Sequence, residues 1–131
     1  MKTNTILIAS FDNNVYHNLV NELDEPKRDI RFAQRGTRVL QEILENHIDL
    51  LILDVELAGM MGTELLPLIK KLRPRLPVIL ITDDMNKRVR QMAAELGVTY
   101  QAFKPISSHE TDAIRSATQK IIDRGNFNIA V

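Results

Sequence analysis

The sequence predicts an α/β protein built on a doubly wound, five-stranded parallel sheet, and three observations carry that reading. First, Leu50 to Leu53 are consecutive large apolar residues with no polar face, as a strand covered on both sides requires, and the run I-D-L-L-I-L-D closes on the carboxylate of Asp54. Second, the same pattern returns in P-V-I-L-I-T, closing on Thr82, and in Y-Q-A-F-K, closing on Lys104. Third, stretches with apolar residues at helical spacing separate these runs, so strands and helices alternate along the chain. Strands of such a sheet bring their carboxyl ends to one edge, where ligands bind. An acid, a hydroxyl and an amine scattered in sequence are therefore expected to converge there.

In chain order, T-I-L-I-A-S (5–10) is a short apolar run and reads as the first strand. Asp12, Asn13 and Asn14 follow with side chains able to accept from the free amides of a first helical turn. Val15, Leu19 and Leu23 mark the buried stripe of that helix, with Tyr16 and Val20 beside it, and Pro26 ends the region. D-I-R-F-A-Q (29–34) alternates apolar and polar residues, as a half-exposed edge strand does. Gly36 and Thr37 open a second helix with the stripe Val39, Leu40, Ile43 and Leu44, stopping near Asn46.

After the third strand comes the loop V-E-L-A-G-M-M-G, whose glycines permit unusual backbone angles. Met60 and Met61 read as loop packing. Thr63 is expected to cap a third helix bearing Leu65, Leu66, Ile69 and Leu72, with Pro67 near its first turn, where it distorts little. Lys70, Lys71, Arg73 and Arg75 cluster at its end and suit the negative pole of a helix. Pro74 and Pro77 bracket the turn into the fourth strand. A fourth helix places Val89, Met92, Ala93 and Leu96 on one face and stops at Gly97. Ser107 or Ser108 caps a last helix bearing Ile114, Ala117, Ile121 and Ile122, which is expected to end at Gly125. Residues 1–125 then form one domain, and 126–131 a C-terminal tail that frays.

With 131 residues the chain is long enough to bury a substantial core. Its 17 basic and 17 acidic side chains cancel, which argues against direct nucleic-acid binding or attraction to an anionic membrane. The absence of cysteine excludes disulfides, thiolate metal sites and thiol nucleophiles. His17, His47 and His109 lack metal-ligand spacing. No apolar stretch is long enough to span a membrane and the start lacks a signal-peptide core, so a cytoplasmic protein is expected.

Asp54, Thr82 and Lys104 at three strand ends, with Gly62 eight positions after the acid and Pro105 after the lysine, resemble the receiver domain of two-component response regulators. The strings D-x-x-L-x-G-M-x-G-x-E-L-L, L-P-V-I-L-I-T and F-K-P are specific in combination, and the resemblance covers roughly residues 4 to 124. It implies a flavodoxin-like (βα)5 fold with strand order 2-1-3-4-5. It also implies that Asp54 accepts a phosphoryl group from a histidine kinase or phosphotransfer protein, that Thr82 and Lys104 bind that group, and that the bond before Pro105 is cis. The chemistry suits these residue types: a carboxylate oxygen attacks phosphorus, and fixed positive charge and donors stabilise the charge that develops.

The sequence departs from the receiver pattern where a metal would be held. The two acidic positions after the first strand are Ser10 and Phe11, while Asp12 falls one place later, where it is expected to cap the helix. Mg2+ parts reluctantly with water, so a site short of carboxylates should bind it weakly or not at all. No confident metal ligand is assigned. Glu56 and Asp84, with Asp12, are possible accessory acids; an inward turn of Glu56 or Asp84 would make the crevice more negative. Ala58 stands where proline is usual, and Gln101 stands at the aromatic switch position, with Tyr100 pointing to the opposite face.

The expected function is a stand-alone receiver of atypical type in phosphorelay signalling. Its output is expected through the face formed by the fourth helix, the last strand and the last helix, to a downstream protein or in a homodimer. The alternative is a pseudo-receiver that acts as an interaction module without phosphorylation. Beyond a receiver's own phosphotransfer and slow dephosphorylation, no enzyme is expected: the chain has no glycine-rich phosphate loop and no nucleophile–histidine pairing.

Overall fold

The computed structural model describes residues 3–83 and 86–130, the side chains of 127–130 excepted. Five strands, β1 (Asn4–Ala9), β2 (Arg28–Ala33), β3 (Leu50–Asp54), β4 (Val78–Asp83) and β5 (Tyr100–Lys104), form one parallel sheet in the order β2-β1-β3-β4-β5. Helices α1 (Asn13–Leu23), α2 (Gly36–Glu45), α3 (Gly62–Leu72), α4 (Lys87–Glu95) and α5 (Ser108–Ala130) connect and follow them. The central β3 is buried at every position, which is why its sequence carries no alternation. The edge strand β2 is only half-buried until Ala33, and its sequence alternates accordingly.

Strand periodicity divides the core into two layers. Leu7, Leu51, Leu53, Val78 and Leu80 face α2, α3 and α4, meeting Val39, Ile43, Leu65, Leu66, Ile69 and Ala93. Ile6, Ile8, Leu50, Ile52, Ile79 and Ile81 face α1 and α5, meeting Val15, Leu19, Leu23, Ile114 and Ile122. Burying one such aliphatic side chain is worth about 1.5–3 kcal/mol, so these two layers carry most of the drive to fold.

Three local expectations are corrected. Helix α3 starts at Gly62 rather than after Thr63: Met61 is its N-cap, and Glu64 reaches back to the Met61 amide at 3.4 Å. In α2, Leu44 is exposed while Glu42 is buried, because Arg31, Arg38 and Asn46 together satisfy the Glu42 carboxylate. Helix α5 does not end at Gly125 but runs to Ala130, so 126–130 are helical rather than a tail. Glycine inside a helix costs only about 1 kcal/mol against alanine, too little to stop a helix held along its length. The other stops are where the sequence puts them: Asn46 follows α2, and Gly97 adopts φ 75° after α4.

Candidate functional site

At the carboxyl edge of the sheet, Asp54 ends β3 with no solvent exposure. A buried carboxylate is costly unless donors surround it, and here three do. The Lys104 ammonium, at the end of β5, lies 2.9 Å from Oδ2. The Ser10 hydroxyl, just past β1 and also fully buried, donates to the same oxygen at 2.7 Å. The Glu56 backbone N–H donates to Oδ1 at 3.0 Å.

Lys104 is shared. Its ammonium also lies 3.4 Å from the exposed carboxylate of Glu56. Burial on its own lowers the lysine's pKa, but hydrogen bonding and attraction to Asp54, reinforced by Glu56, leave it above its ordinary value. Lys104 is therefore a fixed cation at neutral pH.

Thr82, at the end of β4, is buried but is not among the donors to Asp54. The register pairs Asp54 with Ile81, and Thr82 has the strand parity of Leu80, which belongs to the opposite core layer. The acid and the amine meet directly, and Ser10 rather than Thr82 completes their contact.

The remaining positions fall as follows. Asp12 caps α1, its Oδ1 accepting from the Asn14 amide at 2.9 Å, and its own N–H donates to the Ser10 hydroxyl at 3.0 Å. The Phe11 side chain is 59% exposed, so the ring stands in solvent and not over Asp54. The Phe11 N–H donates to the Glu56 carbonyl at 2.9 Å. Asp84 lies outside the described residues. The Lys104–Pro105 bond is cis. Gln101 turns toward α4, its amide donating to the Arg90 carbonyl at 3.1 Å, while Tyr100 reaches Glu110 near the start of α5.

The loop carrying Glu56 is tied to its surroundings by backbone bonds. Ala58 donates to Gln34 at 2.9 Å and accepts from Gly36 at 3.1 Å, and Gly62 donates to Val55 at 2.8 Å. Gly62 is required for that approach: a Cβ there would stand 2.6 Å from the Asp54 carbonyl oxygen.

These residues do not fit an octahedral magnesium ion, which binds through carboxylates and retained waters. Both oxygens of Asp54 face donors, and Ser10 and Phe11 bring no carboxylate to the site. Among the described residues, no group of three or more His, Cys, Asp or Glu side chains is placed to hold a metal.

One contribution is not foreseen by the sequence. At position 10 the sequence shows a missing carboxylate, whereas the hydroxyl there is a donor to the Asp54 anion. Glu56, expected as a possible accessory acid, lies beside Lys104 as a second anion while staying exposed.

Comparison with known proteins agrees with this architecture. The family described as response regulator receiver domain matches residues 6–127. The transcriptional regulatory protein CreB of Escherichia coli is 27% identical over 122 residues, 92% of this chain and 53% of that protein. A probable cyclic di-GMP phosphodiesterase of Vibrio cholerae is 35% identical over 81 residues, 60% of this chain and 18% of that protein. The chain thus spans about half or less of these curated relatives' length. Among solved structures, a CheY-like receiver domain protein from Methanospirillum hungatei superposes with a TM-score of 0.81 at 22% identity, covering 95% of this chain and 98% of that one. A putative response regulator from Chloroflexus aurantiacus superposes with a TM-score of 0.78 at 27% identity, covering 93% and 99%.

Fold and sequence thus define a receiver of the two-component signalling type. The chain belongs to the response regulator receiver domain family. Among the described residues, no helix is long and apolar enough to cross a membrane.

Proposed function

We propose that this protein is an atypical receiver in which Asp54 accepts a phosphoryl group from a histidine kinase or phosphotransfer protein with little or no help from Mg2+. The observation that carries this reading is the Lys104 ammonium 2.9 Å from the buried Asp54 carboxylate, at the sheet edge where this topology gathers its ligands. In the reaction an Asp54 oxygen attacks the phosphorus of a phosphohistidine. The P–N bond breaks as the O–P bond forms, and the imidazole takes a proton as it leaves. Lys104 then stands beside the new acyl phosphate with the Ser10 hydroxyl as donor, and Thr82, which does not donate to Asp54 itself, would serve only the added phosphoryl oxygens. Relatives in this family receive such groups and pass the signal to effectors. For this chain, output through the face of α4, β5 and α5, to a downstream protein or a second copy, and a cytoplasmic location belong to the proposal.

A second reading, an interaction module independent of phosphorylation, is favoured by one observation: each Asp54 oxygen already accepts a hydrogen bond, and Ser10 and Phe11 replace the acids that would hold a cation. Intact mass after treatment with acetyl phosphate, with and without Mg2+, separates the two. A phosphoryl adduct that is lost in Asp54→Asn and forms nearly as well without Mg2+ supports the receiver reading. No adduct under either condition supports the module.

A further inference from the structure

A cavity of about 910 Å3 opens at the end of the sheet opposite Asp54, where the strands begin and α2 and α3 end. Its floor is apolar: Ile43, Leu76 and Ile122 are buried there. On its wall stand Leu44 and Leu72, 55% and 42% exposed, two of the large apolar side chains this protein leaves in water. Leu68, one turn before Leu72, extends the apolar surface along α3. Scattered exposed leucines need no explanation, but a contiguous apolar surface leading into a cavity does.

The charges around this cavity are unbalanced. Arg73 is spent on the protein itself, donating to the Leu72 carbonyl at 3.0 Å and the Ile43 carbonyl at 3.5 Å, and so ties together the ends of α3 and α2. Arg75 and Arg124 also line the cavity, and neither meets a carboxylate among the described residues. The lining carries three arginines, Arg73, Arg75 and Arg124, against two acids, Glu45 and Asp49, and Asp49 is turned to the Thr5 amide at 2.8 Å and to His47.

We propose that this cavity binds a small amphiphilic anion, its hydrocarbon body against Leu44, Leu72, Leu76 and Ile122 and its charged head toward Arg75 and Arg124. The volume lies within the range of about 300–1,000 Å3 typical of small-molecule sites. A concave lining drawn from α2, α3, α5 and the strand ends suits a compact ligand better than a flat membrane. A second copy of the chain, docked symmetrically, would bring a second lining with the same excess of arginines to this surface, which disfavours it. The site is independent of Asp54, and its failure would leave the phosphoacceptor proposal untouched.

The test is an NMR titration of the uniformly 15N-labelled full chain with decanoate, alongside decyltrimethylammonium of the same chain length. Decanoate is expected to give saturable shifts at residues 43–49, 72–77 and 121–125, with Ser10, Asp54 and Lys104 unmoved. The double variant Arg75→Gln/Arg124→Gln should bind it about fivefold more weakly, the effect of two partly exposed ion pairs. The cationic probe should bind no better to the wild type than decanoate does to that variant. Equal affinity for the two probes, or an unchanged affinity in the variant, overturns the proposal. So do concentration-dependent shifts of the same residues without ligand, which would mean self-association, and cosedimentation with phosphatidylglycerol vesicles in the absence of decanoate binding, which would mean a membrane surface.

Discussion

The Ser10 hydroxyl donates a 2.7 Å hydrogen bond to the same Asp54 oxygen that faces the Lys104 ammonium at 2.9 Å, and both Ser10 and Asp54 are fully buried. A neutral donor thus occupies ground where a second carboxylate would need a cation. The buried charge is balanced by groups of the chain itself.

Putting an acid back should create a need for metal. Ser10→Asp sets a second carboxylate against Asp54 in place of the hydroxyl donor, and the like charges destabilise the fold. Millimolar Mg2+ is then expected to raise the melting temperature of the variant and leave the wild type unmoved. Ligand at one hundred times its Kd stabilises by about 2.7 kcal/mol. A wild-type response as large as the variant's would show that the natural residues already hold the ion.

Removing Lys104 strands a buried anion. Lys104→Met is expected to lose about 3 kcal/mol of stability in urea, the cost of breaking a buried pair on one side. Adding Asp54→Asn should recover most of it, since the charge that was left unpaired is then gone. If the double variant is as unstable as the sum of the two single ones, the pair is not the source of the loss.

Two lysines should pull the alkaline stability profile in opposite directions. The pKa of Lys104 is raised above its ordinary 10.5, burial being outweighed by Asp54 and then Glu56. Its stabilisation is whole below about pH 10.5 and is lost as pH climbs through the folded value. Lys70 is lowered by burial, its ammonium donating to the Leu76 carbonyl at 3.0 Å. Its protonated form therefore opposes folding at neutral pH, and that penalty fades as pH rises toward 10.5. Urea midpoints from about pH 8 to 11.5 should show the gap between wild type and Lys104→Met closing only at the top of the range. The gap for Lys70→Met should change lower down. Parallel curves for all three proteins would contradict both assignments.

Two glycines should respond to alanine with opposite sign. At Gly62 a Cβ would stand 2.6 Å from the Asp54 carbonyl and 2.8 Å from the Val55 Cα, both backbone atoms, so Gly62→Ala should cost about 2–3 kcal/mol. At Gly125, inside α5, nothing lies within 4 Å, and Gly125→Ala should gain about 0.5–1 kcal/mol. Equilibrium urea unfolding reads both. A loss at Gly125 would mean that the helix does not continue through it.

The sheet was legible because burial on two faces writes itself as unbroken apolar runs, and the edge strand β2 because burial on one face writes alternation. The meeting of Asp54 with Lys104 followed from topology alone. The contact from Ser10 did not, since sequence shows that a carboxylate is missing but not which way a hydroxyl turns. Nor did the end of α5 show, because Gly125 carries the same local signal as Gly97, and only the backbone conformation separates them: Gly97 adopts φ 75° and Gly125 stays helical. Glu42 reads as a solvated residue until Arg31 arrives from β2, a partner eleven positions away.

The backbone bonds that hold the loop after β3 give the site a second outlet. Phe11 grips Glu56, and Gln34 and Gly36 grip Ala58, so the strap beside Asp54 is riveted to the turns leading into α1 and α2. A load placed on that carboxylate strains three connections at once. Its mechanical echo would reach the α1–α2 side, and amide exchange at Phe11 and Gly36 is where it would be heard.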